Sequence, residues 1–320
     1  IRETILWKCK RFMIPLIIIA GPTATGKSDR ALHLAKLLNG EIISADSMQI
    51  YRDFDIGTAK ASVKNRQSVP HHFVDILNPD ENYSAGQFKK NAEKVISKLH
   101  SRGKISIVTG GTGLYINALA RGLSMAAPSD PEIREKLQKR SQKEGSLYNE
   151  LLKLDPEAAK KIKPADTFRT ERALEVYYLT GKPISSFHSS GDHETNEYDV
   201  LYLILTMDRP LLYQRINERV DRMIKKGLVK EVNSIIAKGY SDQLKPFKSL
   251  GYKEIVQHLK KELTLEQAVE NIKKKTRNFA KRQLTWFKKV RSAQWINVGI
   301  EKPEMTDEKI YGAVQERFNF

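Results

Sequence analysis

Hydrophobic and polar positions alternate between strand-like runs and helical stripes over the first part of the chain. The β-branched run 17–19 predicts a strand buried on both faces, and apolar residues recur at helical spacing over 28–38. Residues 41–45 and 104–109 predict two further strands, with an amphipathic helix over 84–100 between them. This alternation favours a parallel, doubly wound α/β sheet that binds ligands at the carboxyl ends of its strands.

The pattern changes after Gly122. Residues 128–183 show helical segments without a convincing strand, and the polar stretch 185–196 predicts a loop. Strand character returns at 200–207. The sequence therefore predicts a helical insertion inside an α/β core that then resumes.

These patterns give a division of the chain. We expect an N-terminal extension over 1–12, because Met13 directly precedes the first strand. The predicted α/β core with its basic C-terminal helices comprises 13–121 and 197–300, and the insertion comprises 122–196. Residues 301–320 are expected to form a C-terminal tail.

The last third of the chain is helical and basic. A Thr-x-x-Gln capping signal at Thr264 opens a helix that runs to Val290 and carries eight lysines and arginines from Lys273 onward. Three aromatic residues interleave with these cations, namely Phe279, Trp286 and Phe287. Cations beside aromatic rings suit a phosphate backbone and unstacked bases. The alternative is a solvated lysine face whose aromatic residues belong to the core.

Charge and cysteine content narrow the class of protein. The net charge of +17 over 320 residues points to a polyanionic partner rather than to small phosphorylated molecules alone. The single cysteine, Cys9, excludes an intramolecular disulfide and fits a cytoplasmic protein. The longest apolar run, 14–20, is too short to span a bilayer, so no membrane partner is expected.

The strand 17–19 runs into the phosphate-binding P-loop signature G-x-x-x-x-G-K-S. Its glycines let successive backbone N–H groups point at phosphate oxygens, Lys27 reaches the terminal phosphates, and the Ser28 hydroxyl is suited to Mg²⁺. The signature predicts a phosphate site formed by Gly21, Pro22, Thr23, Ala24, Thr25, Gly26, Lys27 and Ser28.

Asp46 follows the second predicted strand and would face the P-loop across the site. Its carboxylate suits three roles, which the spacing does not separate: a Mg²⁺ ligand, a general base, or a helix N-cap. The glycine-rich turn 109–113 offers further backbone donors and the Thr112 hydroxyl, although such turns are frequent in α/β proteins.

Seven segments of the chain stand out in order: G-P-T-A-T-G-K-S at 21–28, A-D-S-M-Q-I-Y-R-D-F-D-I-G-T-A-K at 45–60, H-H-F-V-D-I-L-N-P-D at 71–80, Y-S-A-G-Q-F at 83–88, G-G-T-G-L-Y at 110–115, R-A-L-E-V at 172–176 and A-K-R-Q-L-T-W-F at 280–287. In this order and spacing they resemble the tRNA dimethylallyltransferase family, and the resemblance extends over about residues 14–298. The C-terminal block lacks cysteines, so the zinc-finger extension of some eukaryotic relatives is not expected and the bacterial type is favoured.

The resemblance implies transfer of a dimethylallyl group from its diphosphate to N6 of the adenosine just 3′ of the anticodon. The P-loop would then hold the departing diphosphate of an isoprenoid, with Mg²⁺ as cofactor. Asp46 is implied as the base that takes the N6 proton, with Lys27 and Thr112 as further catalytic residues. The adenosine would leave its stack to reach the site.

The resemblance also implies a set of tRNA-binding residues and, as partner, the anticodon stem-loop of a tRNA bound by a monomer. They are Asp46, Ser47, Met48, Gln49, Thr112, Arg134, Phe168, Arg169, Thr170, Glu171, Arg172, Lys248, Ser249, Leu250, Gly251, Tyr252, Lys253, Lys281 and Arg282.

Three alternatives remain at this stage. An adenylate isopentenyltransferase would share the P-loop and the aspartate but has less need of the basic helix. A P-loop kinase of a small metabolite lacks support, because no arginine-rich lid is evident. An RNA-binding protein without catalysis would leave the P-loop and Asp46 unused.

Overall fold

The structure is a computed structural model, and it describes residues 13–122, 127, 129–144, 147–187, 197–299 and 302–319. The predicted N-terminal extension, 1–12, lies outside the described residues. The chain divides into two compact units. One is the segment Arg121–Thr195, and the other is formed by the chain on both sides of it.

The larger unit is built on a six-stranded sheet in which every pair of neighbouring strands is parallel. The strands are β1 Ile14–Ala20, β2 Glu41–Ser44, β3 His71–His72, β4 Ser106–Gly110, β5 Tyr198–Thr206 and β6 Gln294–Asn297. Their order in the sheet is β3-β2-β4-β1-β5-β6, so the chain moves to one side of β1 first and to the other side after the insertion. The predicted parallel α/β sheet is confirmed.

Helices cover both faces of this sheet. They are α1 Lys27–Leu37, α2 Val63–Ser68, α3 Ala85–Ser101, α4 Gly113–Arg121, α9 Arg209–Lys225, α10 Leu228–Ala237, α11 Tyr252–Leu259, α12 Leu265–Phe287 and α13 Pro303–Phe318. In the described parts of the chain, no helix is both long enough and apolar enough to cross a membrane.

Helix boundaries follow side-chain caps. Ser84 with Gln87 and Thr264 with Gln267 form reciprocal capping boxes at the starts of α3 and α12, and the second of these is the predicted signal. Each box satisfies backbone N–H groups that would otherwise lack a partner in the first turn.

The central strand β1 divides the core into two layers because its side chains alternate between faces. Leu16 and Ile18 join a cluster formed with α3, α4 and α9–α12, whereas Ile17 and Ile19 join one formed with α1 and α13. All four side chains are fully buried. A strand buried on both faces explains the unbroken apolar run in the sequence.

The unit Arg121–Thr195 consists, in its described residues, of helices around a small core of its own. The helices are α5 Pro131–Glu144, α6 Tyr148–Leu154, α7 Pro156–Ala159 and α8 Thr167–Thr180, followed by a 3-10 turn at Ile184–Phe187. Leu137, Leu151 and Leu174 are buried together in this core. The Asp130 carboxylate accepts a hydrogen bond from the Ile133 N–H (3.0 Å) and so caps the start of α5.

The C-terminal segment differs from the sequence expectation. Residues 301–320, expected as a tail, contain α13, whose Ile310, Val314 and Phe318 are buried against the sheet layer of Ile17 and Ile19. Arg30 of α1 also pairs with Asp307 of α13 (2.9 Å). These three apolar residues recur at helical spacing in the sequence. This spacing indicates a packed helix, which the prediction of a tail did not include. The edge strand β6 was not predicted either.

Packing of α13 predicts a large stability effect from Ile310→Ala. Removal of this buried side chain is expected to lower the free energy of unfolding by about 2–4 kcal/mol, because apolar contacts are lost and a cavity remains. Met305→Ala, at an exposed position of the same helix, is the matched control and should change it by less than about 0.5 kcal/mol. Equal effects of the two variants in urea denaturation would show that α13 does not pack as described.

Candidate active site

Three strands of the sheet end at the same level, so the predicted site residues that follow these strands lie close together. Ala20 of β1 lies beside Gly110 of β4, and Ser44 of β2 lies beside Thr109 of β4. The P-loop, Asp46 and the turn 111–112 directly follow these strand ends. A Cβ atom on Gly110 would lie only 2.1 Å from the Ala45 carbonyl oxygen, so this close approach requires glycine.

The P-loop is closed by bonds within its own turn. Gly21 has a φ of 144°, and a Cβ there would meet the Leu205 carbonyl oxygen at 2.4 Å. The Thr25 hydroxyl and the Lys27 ammonium both donate to the Pro22 carbonyl, at 2.9 and 3.2 Å. The loop therefore holds Lys27 folded back over the turn, in the position from which it can meet a phosphate.

Gln283 of α12 connects the P-loop to the turn after β4. Its side-chain carbonyl accepts a hydrogen bond from the Thr23 N–H (3.0 Å), and its amide N–H donates to the Gly111 carbonyl (2.9 Å). The side chain is buried. One amide thus fixes the distance between two loops that are far apart in sequence.

These loops surround a cavity of about 330 Å³. Its lining includes Thr23, Lys27, Ser28, Asp46, Ser47, Met48, Gln49, Thr112, Arg219, Ser249, Leu250, Gly251, Tyr252, Ile272, Thr276, Phe279 and Gln283. A cavity that combines a P-loop lysine, a carboxylate and an apolar wall can accept a phosphorylated molecule with a nonpolar part.

Lys27, Arg219 and Asp46 form the charged part of the cavity. Burial and the positive charge of Arg219 lower the pKa of Lys27 to about 8, and the Asp46 carboxylate opposes this shift. Burial also lowers the pKa of Arg219, again against the effect of Asp46. Two desolvated cations that face one carboxylate leave net positive charge, which favours an anionic ligand.

One oxygen of Asp46 holds the turn that follows β2. Oδ1 accepts hydrogen bonds from the N–H groups of Met48 (2.9 Å) and Gln49 (3.4 Å), which is the capping geometry considered from the sequence. Within the described part of the chain, Oδ2 accepts no hydrogen bond. The capping role therefore occupies one oxygen and leaves the other for a ligand or a proton. Thr112 supports the same turn, since its hydroxyl accepts from the Ser47 N–H (3.0 Å).

Glu231 of α10 fixes another wall of the cavity. Its carboxylate accepts hydrogen bonds from the N–H groups of residues 55, 56 and 57 and from the Tyr252 hydroxyl, at distances of 2.6–3.2 Å. The loop held in this way carries the Thr58 carbonyl, which accepts from the Gln49 side chain (3.4 Å) and from Arg219 (3.5 Å). Glu231 thus positions two cavity side chains without lining the cavity itself.

Many of the residues predicted from the sequence meet at this cavity. Asp46–Gln49, Thr112 and the segment 249–252 line it together with the P-loop residues Thr23, Lys27 and Ser28. Lys248, Lys253, Lys281 and Arg282 are exposed on the same unit. Tyr252 is almost fully buried, so it belongs to the core as well as to the cavity wall. Phe287 is also fully buried and is a core residue.

The other predicted residues lie in the unit Arg121–Thr195. Arg134 and Arg172 both pair with Glu175, which is fully buried, at 3.1 and 2.6 Å. Phe168 is 69% exposed and lies under the Arg134 guanidinium, at 5.8 Å from its ring centre. Arg169 is exposed and pairs with Asp166 (3.2 Å), and Glu171 is partly buried. Thr170 is buried, so its side chain is unsuited to direct contact with RNA.

The residues around Ser28 fit a magnesium ion. The Ser28 hydroxyl is a hard oxygen donor on the cavity, and Mg²⁺ commonly takes few protein ligands and completes its shell with water and phosphate. Among the described residues, no cluster of three or more histidines, cysteines or carboxylates forms a metal cage. This donor set suits an ion that arrives with a phosphate ligand.

Two functional side chains escaped the sequence interpretation. Arg219 belongs to a basic face of α9 on which Arg215, Arg219 and Arg222 recur at helical spacing beside the apolar face. Gln283 occupies a position in the buried stripe of α12, between Ala280 and Phe287. A polar residue within an apolar stripe was the signal that could have identified it.

A family model described as IPP transferase matches residues 49–290. The chain belongs to the IPP transferase family. The match includes Gln49, Thr112, Arg219 and Gln283 of the cavity, and it begins just after Asp46.

Two curated relatives of this family member cover nearly the whole chain. The tRNA dimethylallyltransferase of Carboxydothermus hydrogenoformans is 50% identical over 92% of this chain and 96% of its own. That of Pelotomaculum thermopropionicum is 49% identical over 89% of this chain and 91% of its own.

Solved structures of the family share the fold. The full-length tRNA isopentenylpyrophosphate transferase of Bacillus halodurans is 36% identical, with a TM-score of 0.72 over 96% of this chain and 97% of that one. A eukaryotic dimethylallyltransferase acting on tRNA is 30% identical, with a TM-score of 0.79 over 93% of this chain and 77% of that one.

The Gln283 bridge predicts a defect in diphosphate binding when its hydrogen bonds are removed. Gln283→Met preserves the length of the side chain but leaves Thr23 N–H and Gly111 carbonyl unpaired, at a cost of about 1–3 kcal/mol each. We expect the affinity for dimethylallyl diphosphate, measured by calorimetry without RNA, to fall about 10-fold or more. Asn278→Ala, on the exposed face of the same helix, is the control and should bind normally. Normal binding by Gln283→Met would contradict the bridge.

The lowered pKa of Lys27 predicts a pH dependence. Below about pH 8 the free protein holds Lys27 as a cation, and a bound diphosphate raises the pKa of Lys27 again by favouring that cation. Affinity for dimethylallyl diphosphate should therefore fall as the pH rises from 8 to 9.5, by at most about tenfold per unit. The arginine of Lys27→Arg stays charged over this range, so the pH dependence of its affinity reflects only the ionisation of the ligand. Parallel profiles of the two proteins would exclude Lys27 as the titrating group.

Proposed function

We propose that this protein transfers a dimethylallyl group from dimethylallyl diphosphate to N6 of the adenosine 3′ to the anticodon of tRNA, with release of pyrophosphate. The observation that carries the proposal is the shared cavity of Lys27, Arg219 and Asp46 in a member of the IPP transferase family. A leaving-group site and a carboxylate lie on one cavity, as an alkyl transfer to an amine requires.

The departing diphosphate belongs at the P-loop. Rupture of the bond between the allylic carbon and the phosphate oxygen places negative charge on that oxygen, and Lys27, Arg219 and the loop N–H groups are positioned to stabilise it. Before reaction, Lys27 is held by the Pro22 carbonyl, the loop by Gln283 and Arg219 by the Thr58 carbonyl, so little reorganisation is needed.

The acceptor amine belongs near Asp46. The N6 lone pair is delocalised into the adenine ring, so N6 is a weak nucleophile until its proton is removed. As the new bond between N6 and the allylic carbon forms, the free oxygen of Asp46 takes the N6 proton. The hydrogen bonds from Met48 and Gln49 keep the carboxylate in place during this transfer.

Charge balance supports Mg²⁺ as the cofactor. Lys27, Arg219 and Asp46 together supply a single net positive charge, which is less than the negative charge of a diphosphate. Ser28 would hold the ion, and when bound the ion would supply further charge stabilisation for the pyrophosphate. Lys27 and Arg219 would balance the rest of the negative charge of the diphosphate.

The charge distribution supports RNA as the acceptor. Residues 121–195 contain 13 basic and 12 acidic side chains, so nearly all of the net charge of +17 lies on the other unit. That unit holds the cavity and the exposed Lys248, Lys253, Lys281 and Arg282. A free adenine nucleotide would not need this surface, and the relatives at about 50% identity are tRNA enzymes. We further propose that the protein acts as a monomer in the cytoplasm.

The acceptor can be tested with three substrates in parallel. The protein is incubated with labelled dimethylallyl diphosphate, Mg²⁺ and either unmodified tRNA, AMP or ATP. Label is expected in the tRNA alone. Label in the free nucleotide would support an adenylate isopentenyltransferase instead, and consumption of ATP without prenyl transfer would support a kinase.

The same assay tests the base. Asp46→Asn keeps an oxygen for the Met48 and Gln49 N–H groups but cannot take a proton, so we expect transfer to slow by about 10²–10⁴-fold while tRNA affinity stays within about tenfold. Asp53→Asn is a suitable control, because Asp53 pairs with Lys238 away from the cavity and asparagine tolerates its φ of 68°. Near-normal transfer by Asp46→Asn would exclude Asp46 as the base.

A further inference from the structure

The three aromatic residues of the basic helix α12 have different surroundings. Phe287 is fully buried in the core, whereas Phe279 and Trp286 are each 38% exposed. Both exposed rings keep a large apolar surface in contact with water. The buried stripe of this part of the helix is formed by Ala280, Gln283 and Phe287.

One exposed ring lines the active-site cavity, and the other lies beside a turn that lines it. Phe279 lines it directly, one turn before Gln283. Trp286 follows Gln283 by three residues and lies against Gly113, where an added Cβ would meet the indole at 2.3 Å. Gly113 comes directly after Thr112, another cavity residue. The two rings therefore flank the site along one face of α12.

Cations accompany these rings. The Arg282 guanidinium lies 5.8 Å from the centre of the Phe279 ring, and Lys281, Lys288 and Lys289 are exposed nearby on the chain. Flat apolar rings with adjacent positive charge match the two surfaces of a single-stranded nucleic acid, the faces of its bases and its phosphates.

We propose that Phe279 and Trp286 are two separate stacking platforms for unpaired bases of the RNA, next to the adenosine that enters the cavity. This inference rests on the proposed function, since it assumes an RNA acceptor. Seven residues of α-helix separate the two backbone positions by about 10.5 Å along the helix axis, so the proposal assigns a different base to each ring.

The proposal is tested by pairing protein variants with base-deleted RNA. Affinity for an anticodon stem-loop is measured without diphosphate for the wild type, Phe279→Ala and Trp286→Ala, using the intact RNA and RNAs with one abasic nucleotide at each loop position flanking the adenosine. Each alanine variant should bind intact RNA about 5-fold or more weakly. For each variant, one abasic RNA should bind the wild type and the variant equally, because the stacked base is already missing.

Two further variants complete the test. Trp295→Ala removes an equally exposed ring (40%) from the edge strand β6, outside the cavity lining, and should bind as the wild type does. Phe279→Tyr retains a ring and should restore binding of intact RNA.

Two results would overturn the platforms: unchanged affinity of both alanine variants, or the same fold-loss for every abasic RNA. Transfer of label to intact tRNA by the wild type reports separately on the proposed function, so the two failures are distinguishable.

Discussion

The active site depends on the level at which β1, β2 and β4 end. Parallel pairing places the last residues of these strands side by side, and the chain then leaves each strand as the P-loop, the Asp46 turn or the turn with Thr112. Gly110 allows the closest of these approaches, against the Ala45 carbonyl. A shift of one residue in any strand would move its loop by about 3.3 Å and turn its side chains to the opposite face. The backbone hydrogen bonds between these strands therefore determine the spacing of the groups in the site.

Electrostatics then decides what the cavity can hold. Lys27 and Arg219 are desolvated cations that disfavour each other, and Asp46 relieves only part of that cost. A diphosphate relieves the rest, so the free protein is prepared for an anion rather than stabilised by its own charges. In the proposed reaction, the same positive charges would stabilise the pyrophosphate after bond rupture, so one arrangement would favour both the binding of the diphosphate and its departure.

The sequence predicted the elements whose signals are local, and it missed those that depend on distant partners. The apolar run of β1, the glycines of the P-loop and the cap at Thr264 each act within a few residues, and the structure has all three where expected. Arg219 and Gln283 acquire their roles only when α9 and α12 pack beside the P-loop, so the helical pattern alone did not identify their partners. Helix α13 was missed for a different reason, because a terminal segment was assumed to be a tail.

Helix α12 contributes both to the cavity and to the exposed basic surface, because its sides carry different residues. Ala268, Ile272 and Phe287 anchor it in the core, and Gln283 holds the P-loop to the turn after β4. Its remaining surface carries the exposed rings and cations. A rigid helix cannot move one of these faces without moving the others. In the proposed reaction, RNA that binds the exposed surface of α12 would therefore contact the same helix that holds the P-loop through Gln283. A free nucleotide would lack that contact. This arrangement gives a physical reason for a basic, aromatic helix in an enzyme whose reaction needs only a diphosphate site and a carboxylate.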